Sequence, residues 1–285
     1  MSDALTLRLM TEAEAGLLVG WAADEGWNPG LHDAHAFWAT DPEGFIAAEL
    51  DGELIGGGTI TSYGGTFGFM GLFIVRPAFR GRGLGSRLWH ARVKLLQGRL
   101  GPGATIGMDG VYAMADWYAR SGFHFSHRSI RYESVGRAGE QARGIVAVAE
   151  VPFEQVAAYD RRCFPAQREA FLRAWLEGPD ALALASVDGS RVRGYGVIRR
   201  CGVGAKIGPL FADDPEVAQA LFSSLAAFVP DEPVYLDVPE INAWAMSLAR
   251  RHEMREVFGT AWMYLGQAPQ LEESRIFGVT TFELG

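Results

Sequence analysis

The sequence predicts two α+β domains of similar fold in tandem, and three observations carry that expectation. Its 285 residues exceed one average domain and leave room for two of about 140 each. A polar, glycine-bearing stretch with no apolar period, SVGRAGEQARG at 134–144, divides the chain. On either side of it the elements recur in one order. Asp51-Gly52, Gly56, Gly58 and GLFIVRP in the first half answer to Asp188-Gly189, Gly194, Gly196 and GPLFADDP in the second, and GMDGV at 107–111 answers to YLDVP at 235–239. Agreement over several spaced elements points to an internal duplication. The expected boundaries are a first domain at 1–135, a linker at 136–144, a second domain at 145–268 and a C-terminal tail at 269–285.

Leu5, Leu7 and Leu9 alternate as in a short strand. Thr11 and Glu14 then form a capping box for a helix whose apolar stripe is Leu17, Leu18 and Trp21. A second helix is expected at Asp33–Thr40. Two strands, GFIAAEL and ELIGGGTITSY, meet at Asp51-Gly52, a tight-turn dipeptide. Phe67–Val75 is the next strand, followed by a glycine loop and a helix through Leu95, whose Arg87, Arg92 and Lys94 read as a solvated face. A strand at Ala104–Met108, a helix at Ala113–Ser121 and a strand at Phe123–Tyr132 complete the first half.

A hydrophobic content of 48% suffices for a packed core, which excludes global disorder. No apolar run approaches the roughly 18 residues that span a bilayer, and a cytoplasmic location without membrane association is expected. Cys163 and Cys201 lack metal or disulfide spacing, and His32 and His35 lack a third ligand, so no metal is expected. The net charge of -8 argues against nucleic-acid binding.

One island departs from that acidity. No Asp or Glu occurs between Glu53 and Asp109, and VRPAFRGRGLGSRLW at 75–89 holds three glycines and four arginines. The dinucleotide pattern G-x-G-x-x-G fails at Ser86 or Leu88, depending on register, and the nucleotide-hydrolase loop fails because Gly85-Ser86-Arg87 replaces Gly-Lys-Ser/Thr. What stands there is a strand, a proline and a glycine loop running into a helix. Backbone N–H groups turned inward at a helix N-terminus, with arginines beside them, suit a pyrophosphate.

This Arg-x-x-Gly-x-Gly loop after Val-x-Pro, together with Ala115, Tyr118 and Gly122-Phe123 in an A-x-x-Y-x-x-x-G-F pattern, resembles the GNAT acetyltransferase superfamily over residues 5–133. The resemblance implies a mixed α/β fold, a mostly antiparallel twisted sheet flanked by helices in each of two tandem GNAT-like domains. It implies acetyl-CoA as acyl donor, held by Phe73, Ile74 and Val75 on the strand and by Arg80, Gly81, Arg82, Gly83, Leu84, Gly85 and Ser86 in the loop. It implies Tyr118 as general acid. The strand FGFMGLFIV lacks the glutamate many members use as base, so Glu25, Asp109 or a water relay takes that role or helps recognise the acceptor. Trp27 and Asn28 either bind the acceptor or anchor the Asn-Pro-Gly turn.

The second half also resembles this fold, but Asp213, Asp214 and Glu216 stand where the arginines and glycines would be. Those carboxylates cap a helix and repel a pyrophosphate. With EGWNPG at 25–30 and Asp109-Gly110-Val111, the pattern resembles a bacterial subgroup with a degenerate second domain, which shapes the acceptor cleft or supports a homodimer. The expected activity is transfer of an acetyl group to a primary amine, on a small molecule rather than a protein. The alternative is a noncatalytic acyl-CoA-binding regulatory or sensor protein.

Overall fold

A computed structural model describes residues 5–285. The first half runs β1 (Leu5–Leu9), α1 (Glu12–Asp24), α2 (Asp33–Thr40), β2 (Phe45–Leu50), β3 (Glu53–Tyr63), β4 (Phe67–Val75), α3 (Leu84–Arg99), β5 (Thr105–Val111), α4 (Ala115–Ala119) and β6 (His124–Val135). The second half repeats the plan as β7 (Ile145–Ala147), α5 (Phe153–Cys163), α6 (Glu169–Leu176), β8 (Ala181–Asp188), β9 (Arg191–Arg200), β10 (Ala205–Ala212), α7 (Pro215–Ala226), β11 (Pro233–Pro239), α8 (Ala243–Arg251) and β12 (Arg255–Leu265), with β13 (Ile276–Gly278) beyond. The capping box forms: Thr11 accepts from the Glu14 N–H, and the Glu14 carboxylate accepts from the Thr11 N–H. Among the described residues no helix is long and apolar enough to cross a membrane.

All main strands join one sheet in the order β1-β2-β3-β4-β5-β12-β6-β11-β10-β9-β8-β7. The halves exchange their last long strands. β12 from the second half pairs with β5, from Thr260↔Val111 to Leu265↔Ile106, while β6 from the first half pairs with β11, from Pro233↔Val135 to Pro239↔Ser129. The exchanged strands also pair with each other, so the middle of the sheet has no open edge. Main pairings are antiparallel except β4 with β5 and β10 with β11.

Those two parallel pairings are short. The β4–β5 ladder covers only Phe67–Phe69 against Thr105–Gly107. Beyond it the pairing with β3 shifts register between Gly57 and Thr59, and Leu72 takes a left-handed φ of 47°. A bulged strand bends, and here it parts from β5. In the second half the β10–β11 ladder likewise stops at Ile207↔Leu236. There β13 pairs with β10 at Leu210↔Gly278, and a Cβ on Gly278 would run into the Leu236 side chain of β11. The second gap is therefore filled by the chain itself.

Alternate strand residues face opposite layers. On one face of the first half, Leu84, Leu88 and Trp89 of α3 and Tyr118 of α4 pack with Met70, Ile106 and Met108. On the other, Leu18 and Ala22 of α1 and Phe37 of α2 pack with Leu72 and Ile74, and this core runs into the second half through Trp175 of α6 and Tyr195 of β9. Phe37 and Trp175 stack at 6.1 Å across that boundary. Arg92, expected on a solvated face, is instead fully buried. Its guanidinium donates to the Thr59 carbonyl and, at 2.6 Å, to the Gly71 carbonyl, satisfying backbone groups where the bulge breaks the ladder.

Candidate active site

The glycine loop has the backbone its sequence demands. Gly81 and Gly83 adopt φ of 75° and 76°, a region that favours glycine, and a Cβ on either would point into open space. Gly83 is the N-cap of α3 and supplies no side-chain cap, so the first-turn N–H groups, at Leu84, Gly85 and Ser86, have no intrahelical acceptor. This open concave donor set beside Arg80 and Arg82 fits a pyrophosphate. Its counterpart is closed. At α7 the Asp214 carboxylate accepts from the Val217 N–H at 2.9 Å, with Glu216 in the first turn.

The loop lies at the end of the gap between β4 and β5. Phe73, Ile74 and Val75 belong to the parted stretch of β4, where Ile74 and Val75 pair only with Gly57 and Gly56 of β3. The Val75 carbonyl accepts from Arg80 Nε at 2.7 Å. The Phe73 ring packs on Trp89 at 5.5 Å and stacks on Trp117 at 6.0 Å, on the α3 side.

A narrow pocket of about 60 Å³ opens through this gap. Its walls include Leu72 and Phe73 of β4, Asp109 and Gly110 of β5, Tyr118, Trp27, Phe258 and Thr260 of the second half, and Phe282 and Glu283 near the end of the chain. Met108 and Gly110 face α4, with the Tyr118 ring lying over Gly110, and alternation turns Asp109 to the other face. Asp109 and Tyr118 thus approach one gap from opposite sides of the sheet.

Asp109 is partly buried and lines the pocket. Its Oδ1 accepts from Thr260 Oγ1 at 2.7 Å, while Oδ2 is buried with no hydrogen-bond partner. Burial pushes its carboxyl up to about 8, against the Thr260 hydrogen bond and the nearby Ser129 hydroxyl and with the help of the charges on Asp237 and Glu283. Tyr118 is 5% exposed, and burial pushes its phenol up to about 12, opposed by the charge on Arg92. One group can hold a negative charge only at cost and the other holds its proton.

The remaining sequence candidates divide. Trp27 lines the pocket, and its carbonyl accepts from Arg131 Nη1 at 2.6 Å. Asn28 does not line it. The Asn28 side chain exchanges hydrogen bonds with the Val203 backbone at 2.9 and 3.0 Å, and its carbonyl accepts from the buried Lys206 ammonium at 2.8 Å, so it clasps the α1–α2 loop to the second half. Glu25 is ion-paired with Arg80 at the loop and is not among the pocket walls.

Several pocket residues escape a reading of the sequence. Thr260, Phe258, Phe282 and Glu283 lie more than a hundred residues from the loop motif. Arg131 and Asp237 form a buried two-bond pair at 2.7 and 2.8 Å, and the Arg131 guanidinium also sits 4.9 Å from the Phe282 ring and 5.7 Å from Phe258. One signal was available: Asp237 in YLDVP parallels Asp109 in GMDGV.

Comparison with known proteins agrees with this architecture. The model described as "Acetyltransferase (GNAT) family" matches residues 10–123, and that described as "Acetyltransferase (GNAT) domain" matches residues 156–278. The chain is 27% identical over 267 residues to the Holothin acyltransferase of Pseudoalteromonas sp. (strain SANK 73390), spanning 93% of this chain and 89% of that protein. A putative acetyltransferase from Pyrococcus horikoshii aligns with a TM-score of 0.84 and 24% identity over 99% of this chain and 96% of its own. A tandem GNAT protein from the clavulanic acid biosynthesis pathway aligns with a TM-score of 0.63 and 14% identity over 94% and 100%. The solved structures bear on the fold alone, whereas the family models and the acyltransferase relative support acyl transfer as the general chemistry. With one family match in each half, the chain belongs to the GNAT superfamily as a tandem GNAT protein.

Proposed function

We propose that this protein is an acetyl-CoA-dependent N-acyltransferase that moves an acetyl group to the primary amine of a small molecule. The observation that carries the reading is the placement of Asp109, with a buried unpartnered oxygen, across the β4–β5 gap from Tyr118. The narrow pocket favours a small acceptor over a protein surface, and a relative is named as an acyltransferase of holothin.

Acetyl-CoA supplies a thioester carbonyl open to attack. The loop Arg80–Ser86 would hold its pyrophosphate, and the parted backbone at Phe73–Val75 would hold the amides of its arm. Asp109 Oδ2 takes the proton that an ammonium must lose before it can attack. Moving a proton from an amine of pKa near 10.4 to a carboxylate near 8 costs about 3 kcal/mol, against about 9 kcal/mol for an ordinary aspartate. Tyr118, still protonated at neutral pH, donates to the departing thiolate. Since Glu25 is paired with Arg80, its charge serves the loop, and Asp109 is left as the base.

Calorimetric titration with acetyl-CoA and a thiol-release assay with a panel of small amines test this reading. Binding is expected, with thiol release that requires an amine and whose kcat falls at least about a hundredfold in Tyr118→Phe. Absence of acetyl-CoA binding would falsify the reading. Binding without amine-dependent release would leave a noncatalytic CoA-binding protein in its place.

A further inference from the structure

We propose that Glu283, in the last segment of the chain, is the acceptor-binding residue of this pocket. In this assignment it holds the ammonium of a primary amine carried on a flat apolar group, while Trp27, Phe258 and Phe282 flank that group. The proposal rests on the N-acyltransferase reading for its chemistry, but its core is a statement about binding.

A carboxylate removed from water is normally matched with a cation. Asp33 faces Arg199, Asp41 faces Arg99, Asp160 faces Arg168 and Asp237 faces Arg131, each at 2.7 Å. Asp109 and Glu283 line the same pocket, and among the described residues neither has an ion-pair partner. Glu283 is 3% exposed, and one of its oxygens accepts from Thr281 Oγ1 at 2.5 Å. Four carboxyls of one cluster, Asp33, Asp109, Asp237 and Glu283, face three cations, Arg131, Arg199 and Lys206, so the cluster is one positive charge short, and a primary ammonium supplies both that charge and N–H donors.

The apolar walls define what the ammonium is attached to. Phe258 and Phe282 have centroids 6.3 Å apart, with the Arg131 guanidinium against both rings, and Arg131 also donates to the Trp27 carbonyl. A single buried cation, itself fixed by Asp237, thereby orients three aromatic residues around the pocket. Stacking and edge contacts with such walls favour a flat substituent over a puckered one of the same carbon count.

Glu283 is also held firmly. Val279 N–H donates to the Asp237 carbonyl at 2.9 Å, Arg168 donates to Thr280 Oγ1 and to the Gly285 carbonyl at 2.8 Å, and Tyr63 Oη donates to the Leu284 carbonyl at 2.8 Å. The Glu283 carbonyl lies against Gly71, where only a glycine leaves room for it. A carboxylate on a segment pinned at both sides loses little freedom on binding a ligand.

The test uses the full chain saturated with CoA and two probes, phenethylamine and 2-cyclohexylethylamine, titrated calorimetrically so that binding is read without turnover. The wild type is expected to bind phenethylamine at least about fivefold more tightly than 2-cyclohexylethylamine. Glu283→Gln, which keeps the shape, should weaken both amines about tenfold while leaving acetyl-CoA affinity unchanged and the chain folded by its cooperative melt. Phe282→Leu should abolish the preference between the probes. Amine affinity equal in wild type and Glu283→Gln overturns the proposal, as does failure of the wild type to bind phenethylamine or to prefer it. Glu283-dependent binding without acetyl transfer to either probe supports this assignment and counts against the enzyme reading alone.

Discussion

Asp109 and Asp237 hold equivalent places in the two halves and meet opposite fates. The residue across the ladder from Asp237 is Arg131, whose charge and paired hydrogen bonds hold that carboxyl below the usual aspartate range despite burial. Across from Asp109 stands Trp262, and burial without a cation sends its carboxyl up to about 8. The difference has a sign in stability. A carboxyl whose folded pKa lies above its unfolded value binds more protons when folded, so its contribution is greatest below about pH 4 and is lost as pH rises through about 8. Asp109→Asn removes that loss. In denaturation experiments the variant should gain on the wild type as pH rises from 4 to 9, by roughly 3–5 kcal/mol at the top of the range, while losing activity. Parallel stability curves would count against the raised carboxyl. Asp109 and Tyr118 were legible in the sequence because each sits in a short local motif. Arg131, Thr260 and Glu283 were not, because a charge or hydroxyl in an alternating strand reads as an outward residue until its partner, a hundred residues away, is known.

At the level of elements, two copies of one device were built and one was closed. Both parallel pairs part after three residue pairs, but β13 fills the second gap, and Asp214 caps the helix that follows β10. The first gap stays open, and α3 begins at an uncapped glycine. The sequence exposed this contrast directly, since ADDPEVAQA replaces VRPAFRGRG. It did not expose β13, whose three residues carry no strand period of their own and lie in a stretch that reads as a tail. Gly83→Glu tests the open copy: it places a side chain at φ 76° and a negative charge at the loop. Backbone strain of about 1–2 kcal/mol and charge repulsion together should weaken acetyl-CoA binding at least tenfold by calorimetry. Undiminished affinity would remove the loop from the donor site.

The whole molecule is organised by strand exchange. Hairpins and helices follow local pattern and were anticipated closely, with α2 and β4 at their expected limits. The exchange of β6 and β12 was beyond sequence reasoning because both strands have the same period and either partner satisfies it. Its consequence is functional. β12 carries Phe258 and Thr260 into the first half's pocket, and β6 carries Arg131 to the opposite side of the junction, so neither half alone completes the site. In the proposed function, the second half tunes Asp109, the base of the first, through the Thr260 hydroxyl. The pH–rate profile of amine-dependent thiol release in wild type and Thr260→Val reads that coupling directly. In the wild type the rate should rise with pH on a limb centred at about 8, with Tyr118 remaining protonated well above it. Loss of the Thr260 hydrogen bond, which favours the ionised carboxylate, should move the limb to higher pH. Superimposable profiles, or a wild-type limb in the ordinary carboxylate range near pH 4, would contradict the account.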